Sequence, residues 1–334
     1  MELHHSSGRW LLGLPLTLLT VLLWATQPVA IKIALEQVDP MTLVWGRFAF
    51  AGLAVGGWLA WRGDVRTFRR QPAGAWLLLA FATLSLLGNF VFSILGLKWC
   101  TPASYQLFSQ LSHPLVALGA VLVFRERFNR WQWAGLAGVV SGLALFFRDQ
   151  WAGTLRAGAQ HYVLGAAMVL LACLLWPGFA LAQKQLLKHL SSVQINGFVY
   201  VTLAALLLPA AHVSTFRALD RVHLAAAGYC MMATVVAYLA YAEAFVHWEA
   251  SRVASVCTIS PIITVLTVAW VHHWAPNLLH PERITLVSVL GGALVIAGSA
   301  FSSLMRDRRW AGVASPQPPL GAIVKNTANL TRAR

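Results

Sequence analysis

Long apolar segments run through most of this chain and restrict the folds that it can adopt. Hydrophobic residues make up 58% of its 334 positions, charged residues make up 11%, and the mean hydropathy is +0.65. About 20 consecutive apolar residues span the hydrocarbon core of a bilayer, where a helix satisfies its backbone hydrogen bonds internally. We therefore predict an all-α membrane protein with about ten transmembrane helices. The predicted segments are 11–33, 41–61, 74–97, 103–124, 130–148, 161–184, 194–212, 222–246, 252–272 and 284–304.

The same residues recur in the two halves of the chain at fixed spacings, which indicates an internal repeat. At an offset of 152 residues, the pair Trp24 and Lys32 recurs as Trp176 and Lys184. The residues that recur at an offset of 156 are Glu126, Gly135 and Gly142, matched by Glu282, Gly291 and Gly298. Because each half holds about five crossings, an odd number, the second half enters the membrane from the opposite side. We predict two inverted five-helix repeats, a design in which secondary transporters enclose a site near the middle of the membrane.

Basic residues indicate how the chain is oriented. With a cytoplasmic N-terminus, the loops on that side hold 14 Lys and Arg residues and the opposite loops hold 6, as the positive-inside rule requires. The net charge of +14 therefore indicates topology rather than nucleic-acid binding, and both termini are predicted to be cytoplasmic. The predicted divisions are a cytoplasmic N-terminus at 1–10, a first repeat at 11–148, a connecting loop at 149–160, a second repeat at 161–304 and a disordered cytoplasmic tail at 305–334.

With these residues in this order, the chain resembles the drug/metabolite transporter (DMT) superfamily, of the type built from two EamA domains. Further residues that carry the resemblance are Pro40, Arg47 and Phe48, the stretch Ala103 to Pro114, the segment Ala250 to Ala254, and Pro261. The resemblance implies ten helices in two inverted bundles around a central cavity, in a bacterial cytoplasmic membrane. It also implies a small-molecule substrate, such as an amino acid moved outward, or a drug. The second half carries Val199 where the first carries Arg47, so the implied site is asymmetric.

Few ionisable residues fall inside the predicted segments, and a charge at the helix centre costs about 2.5–3.5 kcal/mol, so those present are candidates for function. Glu243 is the clearest. Burial would let its carboxyl group take up and release a proton during transport, whereas a hydrogen bond to a neighbouring helix or contact with the cytoplasmic interface is the alternative. Arg47 either holds a substrate carboxylate or extends to the outer interface. Tyr241, in the same segment as Glu243, is placed in the substrate cavity.

The fourth segment carries a polar face beside a proline. Gln106, Gln110 and His113 share one helical face, and Pro114 removes a backbone hydrogen bond next to them. This pattern favours a cavity wall, and interhelical hydrogen bonds are the alternative use of the same residues. Bends that serve either as hinges or as packing kinks are predicted at Pro28, Pro114 and Pro261.

Two pairs of small residues, each spaced four apart, allow helices to approach closely. Gly138 and Gly142 form one pair in the fifth segment, and Ser288 and Gly292 form another in the tenth. Such pairs serve packing within a monomer, which we favour, or contact between two copies. The chain is accordingly expected to be a monomer or a homodimer in the lipid bilayer.

These features favour a secondary transporter that exports a small polar metabolite, or drugs, by alternating access. A membrane-embedded enzyme and a metal-ion carrier are the alternatives. The metal carrier would use three histidines of a predicted external loop, His272, His273 and His280. The sequence holds no P-loop, no His-Glu-x-x-His motif and no Gly-x-Ser-x-Gly elbow. We therefore expect no enzymatic activity, no cofactor and no metal site.

Overall fold

The computed structural model describes residues 10–124, 130–154, 159–247, 253, 256–279 and 285–304, and over these residues it is helical, without β-strands. The helices are α1 Trp10–Ala34, α2 Pro40–Ala51, α3 Ala73–Trp99, α4 Pro102–Ser109, α5 Ser112–Phe124, α6 Arg130–Thr154, α7 Ala159–Leu186, α8 Ser192–Leu207, α9 Arg221–His247, α10 Ser260–Trp274 and α11 Leu286–Leu304. A π-helical turn, Gly52–Gly56, carries α2 on into Gly57–Arg62. Shorter helical turns are Asp64–Arg70, Leu208–Ala210 and Thr215–Ala218.

Six stretches of helix are long and apolar enough to cross a membrane, judged by length and composition over the described residues. They are Leu11–Ala34, Pro40–Arg62, Ala73–Trp99, Gln160–Leu186, Ser192–Ala210 and Arg221–Ala244. Large apolar side chains cover their outer faces, as at Leu77 and Leu84 of α3, which are 74% and 62% exposed. Such surfaces are stable against lipid rather than water. The prediction of an all-α, multi-pass membrane protein is therefore confirmed.

Several helices begin at residues whose side chains satisfy the free amide groups of the first turn. Asp39 accepts a hydrogen bond from the backbone N–H of Thr42 at 3.0 Å and is followed by a proline, so α2 begins there. Ser191 and Gln194 form a reciprocal capping box at the start of α8. These ends are local in origin, which is why the sequence places them well.

The fourth predicted segment, 103–124, is divided into two helices rather than one. α4 ends at Ser109 and α5 begins at Ser112, so the break falls at Gln110 and Leu111. Pro114 explains its position, because a proline cannot donate to the carbonyl four residues earlier, here that of Gln110, and its ring clashes with that carbonyl. The bend predicted at the proline therefore lies one turn before it.

The helices pack mainly in pairs around the cavity described below. In the pair of α1 and α9, Thr26 hydrogen-bonds Tyr229, whereas Thr20, nearer the start of α1, donates to the carbonyl of Ala237 further along α9. Residues later in α9 contact residues earlier in α1, so the two helices are antiparallel. Further pairs are α3 with α7, α6 with α11 and α2 with α8.

Glycines bring α6 and α11 into backbone contact. A Cβ added at Gly142 would lie 2.6 Å from the carbonyl oxygen of Gly291, and one added at Gly298 would lie 2.7 Å from that of Gly135. A Cβ at Gly138 would lie 3.3 Å from the Cα of Gly298. The close approach predicted for the first small-residue pair, Gly138 and Gly142, is therefore a contact within one chain.

The packing within one chain that we favour for the second small-residue pair is not found at Gly292 among the described residues. Ser288 is buried, but a Cβ added at Gly292 would have no atom within 4 Å, so Gly292 mediates no helix packing within the described residues. The residues of α11 that contact α6 include Gly291, Val295 and Gly298, and Gly292 is turned by about 100° from Gly291 around the helix axis. Gly291, one residue earlier, lies on the interface in its place.

Candidate functional site

A cavity of about 150 Å³ lies between the two predicted repeats. Its lining residues come from α1 to α5 of the first predicted repeat and from α7, α9 and α10 of the second. Its lining includes the polar residues Gln27, Arg47, Asn89, Gln106, Gln110 and His113. Polar groups gathered inside a bundle of apolar helices mark a pathway or a binding site, because lipid offers them no hydrogen-bond partners.

Among the described residues that line this cavity, Arg47 is the one Lys or Arg, and it is buried, with 4% of its surface exposed. Its Nε donates to Thr234 Oγ1 at 2.9 Å, and its Nη2 donates to Gln27 Oε1 at 2.9 Å. Its guanidinium carbon lies 4.7 Å from the ring centroid of Phe90. The interpretation that Arg47 extends to the outer interface is therefore wrong, because three neighbours hold its guanidinium group inside the bundle.

Neutral groups alone surround this charge in the described part of the chain. Arg47 forms no ion pair with a described aspartate or glutamate, and the residues that contact it are an amide, a hydroxyl and an aromatic ring. Gln27 is itself held by its Nε2, which donates to the Cys230 carbonyl at 3.3 Å and to Thr234 at 3.4 Å. The cavity thus keeps a positive charge that the nearby protein groups do not neutralise.

Aromatic rings form the apolar wall of the cavity. Trp24 packs on Tyr241 and Tyr238, with ring centroids 4.7 and 5.7 Å apart. Trp176, from the second predicted repeat, lies 6.4 Å from Tyr238, and Phe90 lies 6.3 Å from it. The two tryptophans occupy matched positions in the repeats, so both repeats contribute the same type of residue to this wall. Tyr241 is also among the residues that line the cavity.

The polar face of the fourth segment also reaches the cavity. Gln106, Gln110 and His113 all line it, although the helix is broken between the first residue and the last. Gln110 is 1% exposed, and its Oε1 accepts a hydrogen bond from Ser299 Oγ of α11 at 3.5 Å. The two predicted uses of these residues are therefore combined at Gln110, which both lines the cavity and joins two helices.

At Pro114 and at Pro261, the side chain of the preceding residue contacts the carbonyl oxygen that the proline cannot bond. In the first, His113 precedes the proline, and its Nδ1 lies 3.4 Å from the carbonyl oxygen of Gln110. In the second, Ser260 precedes the proline, and its Oγ donates to the carbonyl of Cys257 at 2.5 Å. Each of these carbonyls is the one that the proline cannot bond. All four residues line the cavity, whereas Pro114 and Pro261 do not, and Pro28 does.

Of the two interpretations of Glu243, the one that buries its side chain in the bundle is wrong. Its side chain is 57% exposed on the outside of α9, and it lines no part of the cavity. Its Oε1 lies 3.2 Å from Nε2 of His247, one turn later. The expected burial is wrong because Tyr241, two residues earlier, faces inward, and a shift of two positions turns a helical side chain by more than half a turn. A proton role for Glu243 stays a prediction.

Lys32 has a structural task that the sequence analysis does not identify. Its ammonium group donates to the backbone carbonyls of Leu97, Lys98 and Cys100, at 3.0, 2.8 and 2.8 Å. These carbonyls end α3 and lack partners within that helix. A lysine at a helix C-terminus is also favoured by the helix dipole. Lys32 therefore joins α1 to the end of α3.

A second polar cluster lies at the same end of the bundle. His223, at the start of α9, contacts Asp220 Oδ2 through Nδ1 at 2.8 Å and Glu36 Oε2 through Nε2 at 3.2 Å. Gln37 donates to Asp220 Oδ2 at 2.8 Å. Hydrogen bonds from the backbone N–H and the side chain of His223 lower the pKa of Asp220 to about 2. We call Glu36, Gln37, Asp220 and His223 the end cluster.

Two of the three histidines proposed for a metal carrier have other contacts in the described residues. His272 Nδ1 lies 2.9 Å from the Leu279 carbonyl oxygen, and the ring of His273 packs against Trp274. His280 lies outside the described residues. Across the described ranges, no three His, Cys, Asp or Glu residues come together in a group that suits a metal ion.

Sequence reasoning missed several residues of this site. Gln27 and Asn89 each stand in a strongly apolar segment, and an amide in such a segment is a signal that was available. Thr234 offered no comparable signal, because threonine commonly bonds its own helix backbone, as Thr234 does to Cys230 at 2.7 Å. Its contact with Arg47 joins residues 187 positions apart and depends on the packing of α2 on α9.

The chain matches known transporters along most of its length. The model of the EamA-like transporter family matches residues 11–148 and 163–304. An uncharacterized inner membrane transporter of Escherichia coli K12, YhbE, is 31% identical over 308 residues, which cover 90% of this chain and 94% of that protein. An uncharacterized transporter of Haemophilus influenzae is 29% identical over 294 residues, covering 88% and 95%.

Two more distant matches concern function and fold. A protein of Salmonella typhimurium described as a probable amino-acid metabolite efflux pump is 25% identical over 299 residues, covering 85% of this chain and 92% of that protein. A crystal structure of another protein matches with a TM-score of 0.59 at 20% identity, over 89% of this chain and 98% of that chain. At this identity the structural likeness concerns the fold alone.

Proposed function

Because the chain belongs to the EamA-like transporter family, we propose that it is a secondary transporter that exports a small polar metabolite across the cytoplasmic membrane by alternating access. One observation carries this proposal. The cavity lies between the two regions that match the family model, and both regions supply its lining, from Gln27 and Arg47 in the first to Trp176 and Tyr238 in the second. A site between two related halves can open to either side as the halves move.

The proposed architecture is ten membrane helices in two inverted repeats, with both termini cytoplasmic. Two sets of contacts support the relation between the two repeats. In the first set, Gly142 contacts Gly291 and Gly298 contacts Gly135. The two contacts are equivalent, because Gly298 is the repeat counterpart of Gly142 and Gly291 is that of Gly135, each at an offset of 156 residues. In the second set, α1 packs on α9 and α7 packs on α3. The repeat relates these two helix pairs to each other, because α7 corresponds to α1 and α9 corresponds to α3. Contacts that exchange in this way are expected of halves related by a pseudo-two-fold axis.

The relative described as a probable amino-acid metabolite efflux pump makes amino acids the first substrates to test. The test is counterflow of radiolabelled amino acids by the purified chain in liposomes, with and without a pH gradient. We expect uptake above that of protein-free liposomes for at least one amino acid or amino-acid metabolite. Uptake equal to that of protein-free liposomes across the whole panel would contradict the proposal for this substrate class.

Glu243 is the proposed site of proton coupling, with His247 as its neighbour. The substitution Glu243→Gln removes the titratable group and keeps the shape of the side chain. We expect this variant to retain counterflow and to lose its response to the pH gradient. The control is Asp64→Asn, which removes a carboxylate from the short turn after α2 and should change neither property. An unchanged response in Glu243→Gln would remove the proton role.

A further inference from the structure

The charge balance of the cavity indicates what kind of molecule it binds, given that the proposed transport function holds. Among the described residues of its lining, Arg47 carries a permanent charge, and no aspartate or glutamate accompanies it. A buried charge without an ionic partner is costly, and proteins normally pair it. Because the described lining residues include no carboxylate, a negatively charged ligand in the cavity would supply the ionic partner of Arg47.

The guanidinium group of Arg47 is held in a fixed orientation, and two of its three nitrogens donate hydrogen bonds to described residues. Thr234 and Gln27 occupy Nε and Nη2, and the ring of Phe90 lies against the planar group. Nη1 forms no hydrogen bond with any residue in the described ranges. Two of the contacts that fix Arg47 therefore come from α1 and α9, and the group retains donor capacity for a ligand.

We propose that Arg47 binds the carboxylate of a small organic monoanion, and that the aromatic wall of Trp24, Trp176 and Tyr238 holds the apolar body of the same molecule. Arginine suits a carboxylate because its planar donors match the two oxygens. A monoanion would neutralise the cavity.

Other charge classes fit the cavity less well. A cation would meet Arg47 with no carboxylate in the lining to compensate for the repulsion. A zwitterion would satisfy Arg47 through its carboxylate, but its ammonium group would be left to the faces of the aromatic wall, a weaker partner than a carboxylate. An uncharged analogue would leave the arginine without a counter-ion. The expected order of affinity is therefore monoanion, zwitterion, neutral amide and cation.

Four probes with the same phenyl body test this order on the unmodified protein. They are 3-phenylpropionate, L-phenylalanine, 3-phenylpropanamide and phenethylamine, each titrated calorimetrically into the purified full-length chain in detergent. We expect 3-phenylpropionate to bind about 10- to 100-fold more tightly than the amide, since a hydrogen bond to a charged group contributes this much. Equal affinities for the acid and the amide, or tighter binding of phenylalanine or of the amine than of the acid, would overturn the proposal.

Variants assign the effect to Arg47. Arg47→Gln should bind the acid and the amide equally, whereas Arg47→Lys should keep part of the preference. The matched control is Arg62→Gln, which removes an exposed arginine that lies over Trp58 and outside the cavity. It should retain the full preference for the acid. Should Arg47→Gln fail to fold, the probe series on the unmodified chain still decides the outcome.

The failure of this inference is distinguishable from failure of the transport function. Counterflow of phenylalanine without binding of 3-phenylpropionate would keep the transporter and reject the monoanion. Binding of 3-phenylpropionate that depends on Arg47, without movement of any compound in liposomes, would keep the site and reject transport.

Discussion

At the scale of single residues, the position of Arg47 depends on a partner that is distant in sequence. Thr234 Oγ1 accepts the hydrogen bond from Arg47 Nε and donates to the carbonyl of Cys230, and its side chain is fully buried. An arginine near a predicted helix end has the same sequence signature whether it lies at the interface or in a cavity. The sequence therefore identifies Arg47 as a candidate and leaves two interpretations, between which only the packing of α2 on α9 decides.

The substitution Thr234→Val tests this contact, because it keeps the shape of the side chain and removes the acceptor. We expect a loss of about 1–3 kcal/mol in the free energy of unfolding, since a charged donor is left without its partner. The matched control is Thr83→Val. Thr83 is 3% exposed and bonds the Leu79 carbonyl at 2.7 Å, as Thr234 bonds its own helix, but it contacts no cation. Unfolding of both variants in detergent is the measurement, and equal losses would contradict the role assigned to Thr234.

At the scale of helices, the sequence predicts what depends on local chemistry. Hydropathy places α1 and α3 to within a few residues, and capping residues fix the start of α2 and α8. Pro114 predicts that the helix is interrupted. The position of the break follows because the proline ring clashes with the carbonyl group four residues earlier, that of Gln110. Gly291 faces α6 and its neighbour Gly292 does not. This difference depends on how the two helices cross, and the local sequence pattern carries no information about that crossing.

Gly142→Ala tests the backbone contact between α6 and α11. The new Cβ would lie 2.6 Å from the carbonyl oxygen of Gly291 and 2.8 Å from the backbone nitrogen of Val295, and backbone atoms cannot move aside cheaply. We expect a loss of about 1–3 kcal/mol in the free energy of unfolding.

Gly292→Ala is the control for this substitution. It places the same methyl group where no atom lies within 4 Å. It should be neutral or stabilise the chain by up to about 1 kcal/mol, because alanine favours a helix over glycine. A Gly142 variant as stable as the Gly292 variant would mean that α6 and α11 do not approach as described.

At the scale of the whole molecule, the end cluster is the polar link that joins the turn after α1 to the start of α9. Glu36 and Gln37 belong to the first predicted repeat, and Asp220 and His223 belong to the second. Alternating access requires the repeats to separate at one end of the cavity while they stay in contact at the other. In the proposed transport cycle, the hydrogen bonds of the end cluster would break when this end opens, so we expect them to favour the arrangement in which it is closed.

Asp220→Asn tests this bias with little change of shape. Asn at position 220 can still accept from the backbone N–H groups of Val222 and His223, as Asp220 Oδ1 does at 2.9 and 3.0 Å, so the start of α9 is preserved. The variant loses the charge and the acceptor at Oδ2. We expect faster labelling of Ile31→Cys, a cavity-lining position in the last turns of α1, by a membrane-impermeant maleimide.

The pH dependence of exposure at the cavity gives a second test of the end cluster. Asp220 has its pKa lowered from 3.8 to about 2, so its ionised form favours the closed cluster above about pH 4, and this contribution is lost as the pH falls through 2. Hydroxyl-radical labelling of Ile31, which needs no thiolate and is followed by site-resolved mass spectrometry, should therefore rise over that range with Asp220 present and change less with Asn. Asp64→Asn removes a carboxylate outside the end cluster and should leave the pH profile unchanged. Equal labelling with Asp220 and with Asn at every pH would show that the end cluster does not hold this end of the cavity closed.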